Sequence, residues 1–284
     1  MEKLKNTINY LRSHSIALRK LSMLRNIKGK AFIKAEPSVL KCTEEINTEG
    51  YAKGPTINSK LLNEIMAIYK SRISEVVPKE TGAPFKNIML DKDITIDNPI
   101  IQLAFSKEIL DPAMDYFGGK ILFESLQVLY SYPTEGKLRE SQLWHKDFGD
   151  SKSFHAIVYL NDVETINDGP FVFVNKNDSK KMKRSFLIRR ITDAQFLKEL
   201  GDGEVKHFYG KAGESVFVDP AKCYHYGSRC KKGRLAIFFT FNTSIPYVVL
   251  PSLVERNKMK LLEIGKQLRP DIPVKKLSVL LGIN

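Results

Sequence analysis

In the run Gln142-Leu-Trp-His-Lys-Asp-Phe-Gly149, one residue separates the imidazole of His145 from the carboxylate of Asp147. On an extended strand, positions i and i+2 point to the same face, so both side chains can reach one metal ion. A second imidazole, His225, follows at the far end of a β-rich stretch. Two histidines and one carboxylate on one side of a metal leave three coordination positions open, a donor set suited to Fe(II) and oxygen chemistry. Arg234 stands nine residues beyond His225. Its guanidinium can pair with a carboxylate, fork to planar anion, and would be costly to bury alone. The partner is either an internal Asp or Glu or an anionic co-substrate.

These residues need elements to hold them. Residues 3–25 carry Leu4, Ile8, Leu11, Leu18, Leu21 and Leu24 near a 3.6-residue period, among basic Lys3, Lys5, Arg12, Arg19, Lys20 and Arg25. Such a helix either packs on its own core, the favoured reading, or lies on an anionic membrane. A second helix is expected from Asn58 or Ser59, both good caps, and a short one over 106–117, ended by Gly118-Gly119. From Lys120 the pattern turns to short strands: 121–123, 126–132, 154–160, 170–174, 214–219 and 234–241. The pair at 145 and 147 falls between two of them, His225 follows the fifth, and Arg234 opens the last. Turn residues at Asn167-Asp-Gly169, Ala212-Gly213 and Lys232-Gly233 separate strands, which suggests a sandwich or barrel. Residues 251–267 return to a helical pattern.

In order and spacing, Trp144-His-Lys-Asp147, Val158-Tyr-Leu-Asn-Asp162, Asp168-Gly-Pro-Phe171, Gly213-Glu-Ser-Val-Phe-Val-Asp219, His225 with Gly227, and Arg234 resemble the phytanoyl-CoA dioxygenase family of Fe(II)/2-oxoglutarate-dependent oxygenases. The resemblance covers roughly residues 120–242. It implies a mainly β core, a double-stranded β-helix or cupin-like jelly roll, with flanking N- and C-terminal α-helices. On that basis residues 1–284 form one oxygenase domain: 1–118 mostly helical, 120–242 the β-helix core, 250–284 a helical tail. It also implies that His145, Asp147 and His225 bind Fe(II), and that Arg234 holds the distal carboxylate of 2-oxoglutarate, with O2 as the remaining co-substrate. Relatives often add a polar or aromatic contact to 2-oxoglutarate from the strand that carries Gln127 and Tyr130; on a regular strand only one of these faces inward. The implied reaction is hydroxylation with release of succinate and CO2. The carboxylate at 147 argues against halogenation, for which a small residue stands there. The chain departs from the family at Asn175-Lys-Asn-Asp-Ser179, where relatives often carry a Pro-Gly-Ser-His run, so the namesake substrate does not carry over.

The remaining signals concern the substrate. The net charge of +13 and the run Lys176, Lys180, Lys181, Lys183, Arg184, Arg189 and Arg190 point to an anionic small or lipid-linked metabolite, with Lys183 and Arg184 as substrate contacts. His155 is expected as a satisfied barrel histidine or a residue facing the substrate, and His207 as lining the entrance or lying on the surface. Trp144 is expected to pack, and His14 to lie on the surface. Cys42, Cys223 and Cys230 have no CxxC spacing and form no disulfide framework; Cys223, two residues before His225, reads as a small buried residue more than a ligand. No apolar stretch reaches membrane-spanning length and no signal peptide is visible, so the cytoplasm is expected, with residues 1–25 as the route to the inner face of a membrane. Two rival functions remain: a nucleic-acid demethylase of the same superfamily, which the Arg234 spacing opposes, and a non-enzymatic cupin-like binding module. The oligomeric state is not legible.

Overall fold

The computed structural model describes residues 7, 10–11, 14–25, 35–76, 83–134, 136–182, 188–227 and 229–283. Two antiparallel sheets face each other. The larger has the strand order β1 (Tyr51–Lys53), β7 (Ser215–Val218), β4 (Ser153–Tyr159), β9 (Arg234–Thr243), β3 (Ile121–Ser131), β2 (Phe85–Asn87). The smaller has the order β6 (Val205–Phe208), β5 (Phe171–Val174), β8 (His225–Tyr226). This is a jelly-roll arrangement.

Register assigns every side chain of the large sheet to one of two faces, because directly opposed residues share a face. Ser125, Gln127, Leu129 and Ser131 of β3 oppose Thr240, Phe238, Ala236 and Arg234 of β9, and His155, Ile157 and Tyr159 of β4 lie on the same inner face. There Ile157, Tyr159, Val216, Val218 and Ala236 meet Phe171 and Phe173 of the small sheet. Leu126, Val128, Phe154, Ala156, Val158, Ile237 and Phe239 point the other way, into a larger core built with helices.

Those helices are α2 (Pro37–Glu49), α3 (Ser59–Tyr69), α4 (Pro99–Phe105), α5 (Lys107–Phe117), α8 (Leu253–Arg256), α9 (Lys258–Leu268) and α10 (Val274–Leu280). They contribute Ile46, Ile65, Ile100, Ile109, Val254, Leu261 and Leu277 to that core. Asn58 caps α3 as expected, its side chain accepting from the Leu61 amide. Helical residues outnumber strand residues, so the expected "mainly β" description holds for the site-bearing core and not for the chain. Burying both faces of the large sheet requires that helical layer.

Two local departures matter. The expected strands at 121–123 and 126–132 are one strand, β3, with a register shift at Glu124. The bulge reverses the alternation, so Phe123 faces the helices while Ser125 and Gln127 face inward. The first helix, α1 (Ile16–Arg25), does not pack through its leucine stripe: Leu18, Leu21 and Leu24 are exposed, and Leu4 and Ile8 lie outside the described residues. It is tied down by polar contacts instead, Ser22 Oγ donating to the Ile245 carbonyl and the Arg19 guanidinium lying 4.4 Å over the Tyr247 ring. No helix among the described residues is long and apolar enough to cross a membrane.

Candidate metal centre

His145 and His225 are locked together by their backbones. The His145 N–H donates to the His225 carbonyl at 3.0 Å and the His225 N–H to the His145 carbonyl at 2.9 Å. This reciprocal pairing places the imidazoles side by side, with ring centroids 4.2 Å apart. The Asp147 N–H donates to the Pro220 carbonyl, which fixes the third residue. Pro220 follows a buried anchor, Asp219, whose carboxylate accepts from Tyr116 Oη at 2.7 Å, the Ser153 N–H at 3.2 Å and the Ala221 N–H at 3.0 Å.

The side-chain geometry is that of a three-donor site. Candidate ligand atoms of His145, Asp147 and His225 all lie within 4.8 Å of one another. Asp147 Oδ1 is 3.7 Å from each of the two Nε2 atoms. Each histidine uses its other nitrogen locally, His145 Nδ1 on the Leu143 carbonyl at 2.8 Å and His225 Nδ1 on the Cys223 carbonyl at 3.1 Å. A carbonyl only accepts, so each Nδ1 carries the proton and each Nε2 presents its lone pair toward Asp147. Burial pushes the His145 imidazole down to about 3, reinforced by the charge of His225, and pushes His225 down to about 4. Both rings are therefore neutral near pH 7, the form that binds metal.

The surroundings sort the other expected site residues. His155 reaches the far side of the carboxylate, its Nε2 3.6 Å from Asp147 Oδ2, and lies outside the three-donor group. Gln127 faces inward on β3, opposite Phe238. Tyr130 faces the helical side, beneath the turn into β9, where a Cβ on Gly233 would lie 2.2 Å from its hydroxyl. The structure therefore separates these two residues, and Tyr130 does not point into the barrel. Arg234 is buried on the inner face, donating to the Gly169 carbonyl and to Ser131 Oγ. A Cβ on Gly227 would sit 4.0 Å from Arg234 Nη2, which puts the guanidinium beside a residue two positions past His225. Two extended residues span about 7 Å, the scale of a five-carbon dicarboxylate.

His207 is exposed on β6 and stacks on Tyr209 in a separate cleft with Tyr51 and Glu214, whose lining includes none of the three donors. Trp144 is packing: it stacks on Phe196 of α7 (Asp193–Leu200) at 3.7 Å in a satellite core with Val172, Ile191 and Tyr226. Cys223 is buried, with Sγ toward the Gly50 carbonyl and a thiol pushed well up by burial.

The basic stretch, which opens with α6 (Lys176–Lys181), divides. Lys181 pairs with Asp178 and Arg190 with Glu140, Lys176 reaches the Asn47 carbonyl, and Lys180 is exposed. Lys183 and Arg184 lie outside the described residues. Arg189 bonds His14 Nε2 at 2.9 Å and, with Arg19 and Lys146, lines a cavity of about 290 Å³ that includes Asp147. Sequence reasoning missed the Asp219 anchor, the part of Arg19 in this cavity, and Glu124. Burial, with Asp147 and Asp150 nearby, pushes the Glu124 carboxyl up to about 8, and Asn242 Nδ2 donates to it at 2.6 Å. The signal for Glu124 was the one charged residue in a strand of apolar and uncharged polar residues.

No protein-family model matches the chain, and no curated protein is recognisably similar in sequence. Solved structures do share the fold. An apo form of EctD from S. alaskensis superposes with a TM-score of 0.56 at 14% identity, covering 79% of this chain and 87% of EctD. EctD with 2-oxoglutarate and 5-hydroxyectoine gives 0.55 at 15% identity, covering 77% and 82%. The non-heme alpha ketoglutarate dependent epimerase SnoN, from nogalamycin biosynthesis, gives 0.52 at 17% identity, covering 73% and 84%. These likenesses establish a shared jelly-roll fold.

Proposed function

We propose that this chain is an Fe(II)/2-oxoglutarate-dependent dioxygenase that hydroxylates a small anionic metabolite. The observation that carries the reading is the donor set: two neutral imidazoles with proton-bearing Nδ1 atoms fixed on carbonyls, and one carboxylate within 3.7 Å of both free nitrogens. That set suits Fe(II) with three positions left for reactants. Support comes from the fold neighbours, among them EctD with bound Fe and SnoN in complex with Fe3+ and alpha ketoglutarate.

In this reading His145, Asp147 and His225 hold the iron. Arg234 receives the distal carboxylate of 2-oxoglutarate, two planar N–H bonds to two oxygens, from a barrel interior that strengthens the pairing. Gln127, on the same inner face, offers a further polar contact. When bound, the metal supplies O2 activation coupled to oxidation of 2-oxoglutarate to succinate and CO2, and transfer of one oxygen atom to a C–H bond. The chain supplies geometry: the reciprocal His145–His225 backbone pair and the Asp219 anchor hold the ligands before metal arrives. His155 faces Asp147 Oδ2 and keeps the carboxylate turned so that Oδ1 points at the two imidazoles.

The test is succinate formation from 2-oxoglutarate by the iron-loaded chain across acyl-CoA, acidic sugar, amino acid and nucleotide candidates. Turnover is expected with a small anionic member and is expected to vanish in His145→Ala. Succinate release that persists in His145→Ala would remove the iron assignment.

A further inference from the structure

The cavity that contains Asp147 has walls the metal reading does not use. Four cations from four separate stretches of chain converge there: Arg19 from α1, Lys146 between the two ligands, Arg189 from the basic stretch, and Lys222 from the loop after β7. Aromatic residues back three of them. Arg19 lies 4.4 Å over Tyr247, Arg189 lies 3.7 Å over Phe148, and Lys146 Nζ is 4.7 Å over Tyr224. A guanidinium held over a ring face can still present N–H donors to a ligand. Two carboxylates share the cavity. Asp147 is a proposed metal ligand, and Asp150 is turned into the protein, where it accepts from the Thr243 N–H at 2.7 Å, Thr243 Oγ1 at 2.6 Å and the Ser151 N–H at 2.6 Å. Lys146 Nζ donates to the Ser179 carbonyl at 3.0 Å, and Arg189 Nη2 bonds His14 Nε2 at 2.9 Å. Burial, Arg190 and Arg19 all disfavour the charge on Arg189, so the two arginines repel each other across the cavity.

We propose that this cavity binds the substrate through a phosphate-type dianion, held by Arg19, Lys146, Arg189 and Lys222 next to the metal centre. The proposal rests on the oxygenase reading of the same site. A dianion relieves the repulsion among the cations and meets two planar forks that suit its oxygens. The volume of about 290 Å³ sits at the low end for ligand pockets, so the occupant is a small phosphorylated metabolite or the head group of a lipid phosphate, not a whole coenzyme A thioester. Helix α1 thereby gains a role that its exposed leucines do not explain: it carries Arg19 into the wall of the site.

The test uses the full chain loaded with Mn(II) and 2-oxoglutarate. Phosphorus NMR of inorganic phosphate and of glycerol 3-phosphate reads proximity, because Mn(II) in the three-donor site broadens a nearby phosphorus resonance. Saturable broadening is expected. Arg19→Gln with Arg189→Gln should weaken it about tenfold or more, while Mn(II) and 2-oxoglutarate affinities stay unchanged. The charge-preserving pair Arg19→Lys with Arg189→Lys should retain most of the binding, which separates lost charge from lost folding. A Lys180→Gln, Lys181→Gln control should bind as the parent does. Equal binding by the Arg→Gln pair, or equal loss in the lysine control, would overturn the proposal. If Mn(II) and 2-oxoglutarate do not bind, yet calorimetric phosphate binding still depends on Arg19 and Arg189, the anion site stands and the oxygenase reading falls. Sedimentation with phosphatidic acid vesicles separates the sources: co-sedimentation lost in the Arg→Gln pair supports a lipid phosphate, and soluble binding alone supports a free metabolite.

Discussion

Metal affinity should barely change between about pH 7.5 and about pH 6, a consequence that follows from the two buried imidazoles. An ordinary histidine, with a pKa near 6.5, is about three-quarters protonated at pH 6, and each proton must leave before a metal binds. For two such ligands, proton competition weakens the apparent affinity about 14-fold across that window. Here burial holds His145 at about 3 and His225 at about 4, both below the ordinary value. Their Nε2 lone pairs stay open until the pH falls toward 4, so the same competition amounts to less than about 1.1-fold. Titration of Ni(II) without 2-oxoglutarate, followed by the fluorescence of Trp144, the single tryptophan and the residue before His145, reads this directly. A fall of tenfold or more between the two pH values would refute the reasoning. The same shifts predict acid lability of the metal-free fold. Below pH 6.5 the imidazoles of the unfolded chain take up protons that the folded chain refuses, so stability is lost as the pH falls from 6.5 toward 4.

Other expectations follow from single side chains. Glu124, raised to about 8, keeps a proton in the folded chain that the unfolded chain has already released, so its contribution to stability declines as pH rises from about 4.5 to 8. Glu124→Gln should flatten that part of the melting-temperature profile, and an unchanged slope would contradict the assignment. Arg234→Gln should raise the dissociation constant of 2-oxoglutarate about 10- to 100-fold by calorimetry and leave Ni(II) affinity alone. Equal 2-oxoglutarate affinity would mean that Arg234 serves only its internal contacts. Trp144→Ala removes the ring stacked on Phe196 and should cost about 3–5 kcal/mol in urea melts. A loss below about 1 kcal/mol would show that the satellite core does not hold the metal strand.

How much of this was legible in the sequence depended on whether local spacing or long-range register decides the outcome. The two-residue spacing of His145 and Asp147 is local, and it placed both at one centre once His225 joined them across the backbone pair. Gln127 and Tyr130, three apart, had to face opposite ways, but which one faced inward depended on the bulge at Glu124 and on pairing with β9. Simple alternation from Phe123 would have turned Gln127 toward the helices. The stripe of α1 has helical spacing, yet its leucines remain exposed and Arg19 and Ser22 make the contacts. Helices α2 and α7 went unannounced because each sits in a polar stretch with few apolar positions to mark a period. Asp219 looked like the end of a strand. Its role is visible only when Tyr116 and Ser153, distant in sequence, converge on it.

Absorption of the chain with Fe(II) and 2-oxoglutarate under strictly anaerobic conditions tests the central claim most directly. The account predicts a weak visible charge-transfer band, formed only when both are present, weakened in Arg234→Gln at limiting 2-oxoglutarate and absent in His225→Ala. A parent chain that shows no such band, or a His225→Ala chain that keeps it, would contradict the account.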